Sequence, residues 1–416
     1  MRILVVTQYF WPENFRVNDL VAELVRRGHV VNVLTGKPNY PDGEVFPDFR
    51  KDRSRFSDYH GADVLRVPMV ARGHGAMRLL LNYLSFAFSA STIGLWRLRG
   101  REFDVVFAYE PSPITVGIPA AILRKIKRAP LVFWVLDLWP ETLQALGVVR
   151  NPWILNAVGR LVTWIYARCD LILAQSKSFI PQISKRSGSS TRIVYFPSWA
   201  EALFESADAV PAVEISARSD CFSIMFAGNI GDSQDFPSIL SAAEILKDDP
   251  RIRWLIVGSG RMAGWVTGEI ERLGLHDKVH MLGRFTVDRM PSLFRHADAL
   301  LVSLKSKPIF SMTIPGKLQS YLASGIPVVA MLDGEGADLV QRSGSGLTCA
   351  AGDFRALAAA VLRLAETPVE SRIEMGRNAA AVYSAEFHRD TLIDKLEQWF
   401  GQLMSSRASL GAVERK

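Results

Sequence analysis

Short runs of Val, Ile and Leu alternate with amphipathic segments of helical period along almost the whole chain, and few folds tolerate that alternation. It opens with Ile3 to Val6, Leu20 to Arg27 and Val30 to Leu34, in the order strand, helix, strand. Each apolar run is too short for a helix, and its lack of polar alternation predicts a strand covered on both faces. Further runs at Val64 to Val67, Val105 to Ala108, Leu131 to Leu136 and Leu171 to Ala174 extend the series. They predict a parallel-sheet domain over residues 1–200.

Residues 201–221, with Pro211 and many Ser, Ala and Asp but little apolar period, read as an interdomain linker. Five more strand runs follow: Ile224 to Ala227, Trp254 to Val257, Val279 to Leu282, Ala299 to Val302 and Val328 to Ala330. They predict a second domain over residues 222–385. A chain of 416 residues is long enough for two cores. The expected fold class is therefore α/β, two Rossmann-like, doubly wound parallel-sheet domains in tandem. A last helix over 386–404 carries an apolar face at Leu392, Ile393, Leu396, Trp399 and Phe400, free to pack back on the first domain. Residues 405–416 read as a frayed tail.

The start, Met1 to Thr7, reads as a buried strand rather than a signal peptide. Cys169, Cys221 and Cys349 are odd in number and far apart, fitting neither a disulfide framework nor a metal site. Both features point to the reducing cytoplasm. The net charge of +7 suits an anionic membrane face or phosphorylated small molecules. Nucleic acid is set aside, because no basic run interleaved with aromatics and no DNA-reading motif is present. Between Arg78 and Arg97 lie 18 uncharged residues, long enough to span a bilayer. Asn82, Ser85, Ser89, Ser91, Thr92 and Gly94 dilute the run, and a lone span would split the sheet, so a buried or membrane-facing helix is expected. Trp153 to Arg168, where Arg160 and Arg168 flank Trp164 and Tyr166, reads as an ordinary domain helix or as a second membrane-facing one.

Two glycine turns close strands of the second domain: Gly228, Asn229 and Gly231 after Ala227, and Gly258 and Gly260 after Val257. Glycine admits a close backbone approach, and helix N-termini beyond such turns attract phosphate. The same glycines could merely tighten βα turns. A nicotinamide-dinucleotide reading needs an acid at the end of the next strand, where Met281-Leu282-Gly283-Arg284-Phe285 has none. Further on, Pro315-Gly316 opens a helix that places Lys317 in its first turn, the end the helix dipole makes positive. An anionic ligand there would resolve the conflict; a solvated lysine is the alternative. Asp137 follows a buried strand and precedes Trp139 and Pro140, pointing to the crevice where α/β domains bind ligands. It is a candidate to position or deprotonate a hydroxyl, or else a strand-end cap.

Together, Gln8-Tyr9-Phe10-Trp11-Pro12-Glu13, Arg27-Gly28-His29-Val30-Val31, Pro38-Asn39-Tyr40-Pro41, Asp137-Leu138-Trp139-Pro140-Glu141, Ala227 to Gly231 and Pro315 to Pro327 resemble a GT-B glycosyltransferase of family 4. The match is to the branch building bacterial O-antigens, capsules and colanic acid, including N-acetyl-fucosamine transferases. The resemblance implies domains facing across a cleft and a UDP-sugar donor on the second domain. No cofactor or metal is expected, since the sequence has no Asp-x-Asp motif or histidine cluster to hold one. The resemblance also implies donor contacts from Gly228, Asn229, Gly231, Gly258, Gly260, Arg261, Gly283, Arg284, Phe285, Pro315, Gly316, Lys317 and Ser320. Acceptor contacts fall to Pro12, Asn14, Asn39, Tyr40 and Trp139; Asp137 is the first catalytic candidate, and Glu13 and Glu141 follow it, each with a structural or solvated role as the alternative. The implied acceptor is an undecaprenyl-diphosphate-linked saccharide at the cytoplasmic face of the inner membrane. The chain departs from the family where two glutamates are usual, with Ser320 at the later position and the earlier near Met312. It has Asn229 and Gln234 where a basic pair is usual, so phosphate charge falls to Lys317 with Arg261, Arg284 or Lys305. Rival readings are a nucleotide-sugar 2-epimerase or hydrolase on the same fold, and an inactive nucleotide-sugar-binding subunit.

Overall fold

The structure is a computed structural model that describes residues 1–40, 43–73, 75–145, 147, 149–189, 191–205, 209–216 and 221–413. Pro41 of the Pro38 to Pro41 motif lies outside them. The chain divides into two compact units, residues 1–197 with Leu392 onward, and Ser198–Thr391.

The first unit carries β1 (Arg2–Val6), β2 (Val30–Thr35), β3 (Asp58–Tyr59), β4 (Ala62–Arg66), β5 (Val105–Glu110), β6 (Leu131–Val135), β7 (Leu171–Ala174) and β8 (Arg192–Tyr195). They form one sheet in the order β3-β4-β2-β1-β5-β6-β7-β8, parallel except for the β3–β4 pair. The order runs outward from β1 on one side and resumes at β5 on the other, so the chain reverses between β1 and β5. Ligands of such sheets bind outside the carboxyl ends at that reversal. From Leu392 the last helix adds Ile393, Leu396 and Phe400 to this core, with Phe400 against Phe107 and Trp399 against Phe196. Arg27 pairs with Asp394 and Glu397, and His29 also reaches Glu397. That helix runs from Arg389 to Val413, past the end expected near 404, because the sequence between offers no proline to stop it; residues 414–416 lie outside the described chain.

The second unit carries β9 (Phe222–Ala227), β10 (Ile252–Val257), β11 (Val279–Gly283), β12 (Ala299–Ser303), β13 (Val328–Met331) and β14 (Gly346–Cys349), ordered β11-β10-β9-β12-β13-β14 and parallel throughout. Neighbouring residues of β9 feed opposite cores: Met225 joins Leu255, Leu300 and Tyr321, while Ile224 and Phe226 join Trp254, Ile256 and Leu301. Burial on both faces is why these strands are unbroken apolar runs. The stretch read as a linker is not free, since Phe204, Ala212 and Ile215 are buried in this unit's core.

The long apolar segment is a helix, Ala76–Ser89, continuing through a π turn at Ala90–Gly94 to Leu95–Arg97. By length and composition it could cross a membrane. One face is buried through Asn82, Phe86, Ala87 and Ala90, and Asn82 bonds Gln8, Tyr9 and the Val70 carbonyl. Of the other polar residues that dilute the run, Ser85, Ser91 and Thr92 bond back to the preceding turn. The other face leaves Met77, Leu80, Leu81, Leu84, Phe88 and Trp96 exposed, Phe88 to 70%.

Candidate functional site

In the second unit the carboxyl ends of β9, β10 and β11 lie side by side, and their turns are hydrogen-bonded into one platform. Gly228 N donates to Val257 O at 2.9 Å, Ile230 N to Ser259 O at 2.8 Å and Gly258 N to Gly283 O at 2.7 Å. Gly228 and Gly258 have φ of +145° and +140°, where side chains are strained. A Cβ on Gly258 would lie 1.8 Å from Gly228 O, and one on Gly260 2.3 Å from Ile230 O. These glycines are therefore required by the packing of the platform itself, which accounts for them with or without a ligand.

Lys317 adds a separate signal. Its Nζ lies 3.7 Å from the centroid of the Phe226 ring, is closed off from solvent and has no hydrogen-bond partner among the described residues. Burial pulls the ammonium down to about 7. Helix Gly316–Ala323 is fixed beside the platform by Tyr321, whose hydroxyl accepts from Ala227 N at 2.9 Å and donates to Ala227 O at 3.0 Å. A Cβ on Gly228 would come within 3.2 Å of Lys317 Nζ, so the bare glycine leaves the cation its place. Ser320 is buried one turn along, Arg261 and Arg284 stand exposed at the ends of the second and third turns, and Phe285 is half-buried. Lys305 is not spare, because it pairs with Asp232 at 2.6 Å. Among the described residues no group of three or more His, Cys, Asp or Glu is gathered as for a metal.

In the first unit Asp137 follows β6, and one of its oxygens accepts from Thr142 Oγ1 at 2.9 Å. Burial nonetheless pushes its carboxyl up to about 7. Glu13 is 2% exposed and accepts from the backbone amides of Phe10, Asn39 and Tyr40 at 3.0, 2.7 and 2.7 Å. It joins the loops after β1 and β2, a positioning task that leaves little of it for chemistry. Glu141 forms an ion pair with Arg186 at 2.9 Å. Asn39 is fully buried, its amide bonded to Lys37 O and Arg72 N, so its reading as an acceptor contact gives way to shaping its loop. Trp139 is 7% exposed and meets Tyr83 edge-on, so it too offers little surface to a ligand. Pro12, Asn14 and Tyr40 are at least partly accessible, with Arg72 over the Tyr40 ring at 5.1 Å.

Two family models match consecutive parts of the chain: "Glycosyl transferase 4-like domain" over residues 14–199 and "Glycosyl transferases group 1" over residues 221–367. Both models describe glycosyltransferases, and the chain is one. It is 26% identical over 339 residues to WcaI of Escherichia coli K12, whose name assigns it to glycosyl transfer in colanic acid biosynthesis; the match covers 78% of this chain and 82% of that protein. Sucrose-phosphate synthase from Thermosynechococcus elongatus superimposes with TM-score 0.76 at 15% identity, over 97% of this chain and 99% of that one. HepE from Anabaena, solved in complex with UDP, gives 0.68 at 17% identity, over 97% and 100%. The fold is GT-B.

One group in this transferase escaped sequence reasoning. Glu110 ends β5 beside the strand that leads to Asp137 and is fully buried, with the backbone amides of Leu136 and Asp137 and the Trp139 indole turned toward its carboxyl. Burial, then the nearby Asp137 charge, pushes its carboxyl well above the ordinary range. The signal was available: an acid closing the apolar run Val105 to Tyr109 at a strand end.

The glycine platform makes a stability prediction. In the transferase, Gly258→Ala combines positive φ with backbone overlap and is expected to cost about 3 kcal/mol or more. Gly283→Ala, with φ of +79° and nothing within 4 Å of its Cβ, should cost only about 1 kcal/mol. Urea unfolding of both variants checks the order.

Proposed function

We propose that the chain moves a hexose from a UDP-sugar to an undecaprenyl-diphosphate-linked saccharide in bacterial cell-surface polysaccharide biosynthesis. O-antigen, lipopolysaccharide, capsule and colanic acid are the products in view, and N-acetyl-fucosamine is a candidate for the sugar moved. The observation that carries the donor half is the buried, unpartnered Lys317 ammonium beside the glycine platform. A departing nucleoside diphosphate gains charge as the sugar–phosphate bond breaks. A fixed cation with backbone N–H groups at a helix start stabilises that charge without a metal. Arg261 and Arg284 are close enough in the chain to the turns to supplement it. On the first unit, Asp137 is the candidate to align the acceptor hydroxyl and take its proton.

Purified protein, a panel of UDP-sugars and short lipid-diphosphate-linked N-acetylglucosamine should give a disaccharide-lipid by mass spectrometry. Donor hydrolysis without acceptor, or epimerised donor, would favour the rival enzymes instead.

The exposed face of the Met77 to Trp96 helix supports peripheral residence on the cytoplasmic face of the inner membrane, with Arg99 against Trp96 at 4.1 Å supplying charge at its end. The protein should cosediment with anionic phosphatidylglycerol vesicles, and Leu84→Glu with Phe88→Glu should reduce this about tenfold without lowering the melting temperature. Equal sedimentation of the double variant would remove this helix from the proposal.

A further inference from the structure

A cavity of about 610 Å³ opens in the first unit beside the segment that carries Asp137. Pro140, Glu141, Leu155, Arg160, Thr163 and Arg186 are among its walls. Its size lies within the about 300–1,000 Å³ usual for small-molecule sites. The floor is continuous with the candidate catalytic loop, since Thr142, next to Glu141, holds Asp137 by a hydrogen bond of 2.9 Å.

Its charge is specific. Arg186 gives one N–H to Glu141 at 2.9 Å and keeps the remaining donors of its fork. Arg160 lines the same cavity from helix Pro152–Tyr166 and has no partner among the described residues. Two guanidinium groups against one carboxylate leave the cavity net positive. Gly159 shapes the seat of Arg186, because a Cβ there would come within 3.0 Å of Nη1. The first turn of the helix that presents Arg160 holds Trp153, 81% exposed, and Ile154, 49% exposed. It packs against helix Gly117–Lys127, as does the apolar helix Ala76–Ser89, and Tyr83 of the latter meets Trp139 beside Pro140. A polar, cationic pocket is therefore bordered by exposed apolar surface.

We infer that this cavity is a subsite for the diphosphate of a prenyl-diphosphate-linked acceptor, held by Arg160 and Arg186, with the prenyl chain leaving over Trp153 and Ile154. Forked guanidinium groups suit phosphate oxygens, and an apolar exit suits a chain that must stay in lipid. The inference rests on the lipid-diphosphate acceptor proposed above, and deepens it by assigning residues to the part of the acceptor that is not sugar. Glu141 faces the same space, so the diphosphate must bind the arginine donors that Glu141 does not use.

Farnesyl diphosphate is the probe, with calorimetry as the readout, so no turnover is needed. It should bind the full chain more tightly than farnesol. Its dissociation constant should rise about tenfold in Arg160→Ala and in Arg186→Ala, while UDP binding stays unchanged. Arg160 is exposed, so that variant tests the site even if Arg186→Ala, which strands Glu141, fails to fold. Affinity for farnesyl diphosphate unchanged from the parent chain in both variants, or loss of its binding in Lys317→Ala instead, overturns the inference by placing the diphosphate elsewhere. Loss of binding to phosphatidylglycerol vesicles without loss of farnesyl diphosphate overturns it in favour of a phospholipid headgroup. Because the assay is independent of sugar transfer, a protein that fails the product screen yet binds the probe as described rejects the proposed reaction and keeps the subsite.

Discussion

Lys317→Ala is expected to lower kcat about 10²–10³-fold and to weaken UDP binding, the range for removing one preorganised group that meets developing negative charge. Lys317→Arg should not rescue it, because the space is bounded by the Phe226 ring and by Gly228, which is held bare of a side chain. The effect carries a proton signature. Burial holds the ammonium at about 7, well below its ordinary value of 10.5. A diphosphate favours the charged form, so donor binding at about pH 8 should draw a proton from solution and weaken as pH rises. Calorimetry in two buffers of different ionisation enthalpy measures the uptake. In the ligand-free protein the sign is the usual one for a buried lysine. Between about pH 7 and 10.5 the unfolded chain holds the proton that the folded one has shed, so stability rises with pH across that window. Lys317→Met should flatten the rise. Absence of proton uptake together with near-normal turnover in Lys317→Ala would falsify the assignment of this lysine to the leaving group.

Asp137→Asn is expected to lower kcat about 10²–10⁴-fold with donor KM little changed, as loss of a proton acceptor does. Its carboxyl, pushed up to about 7 by burial against the pull of the Thr142 hydroxyl, should set the acid limb of kcat/KM near neutrality. Glu110 on the neighbouring strand end, together with Tyr83, belongs to the same electrostatic group, so the limb reports the set rather than one residue. The folded protein holds Asp137's proton to higher pH than the unfolded chain does. Stability from this group is thus full below about 3.8 and is lost as pH rises toward 7. Asp137→Asn should therefore be at least as stable as the parent at neutral pH while losing activity. A variant that loses both would mark Asp137 as a structural cap.

How much was legible beforehand divides by position in the sheets. The central strands β1, β2, β5, β6, β7, β9, β10, β12 and β13 are covered on both faces, so their sequences are continuous apolar runs. The strands not anticipated, β3, β8 and β14, lie at sheet edges. Their residues are half-buried or exposed; β3 and β14 carry no unbroken apolar run, and that of β8 is only Ile193 to Tyr195. The glycine turns were legible because glycine is conspicuous. Whether they serve a ligand or their own packing was not, since the 1.8 Å approach of Gly258 to Gly228 O arises only once β9 and β10 pair.

The sequence by itself determined the α/β class, the doubly wound order in two units, and the place of Lys317 at a helix start, because each follows from local period and punctuation. Only the tertiary structure decided which polar groups are spent and which are spare. Glu13 and Asn39 are absorbed by backbone amides and carbonyls, Lys305 by Asp232 and Glu141 by Arg186, whereas Lys317 is left buried without a hydrogen bond. The reason is physical. Backbone period is a property of neighbours along the chain, but desolvation and hydrogen-bond satisfaction depend on groups brought together from distant positions, and only the folded chain does that.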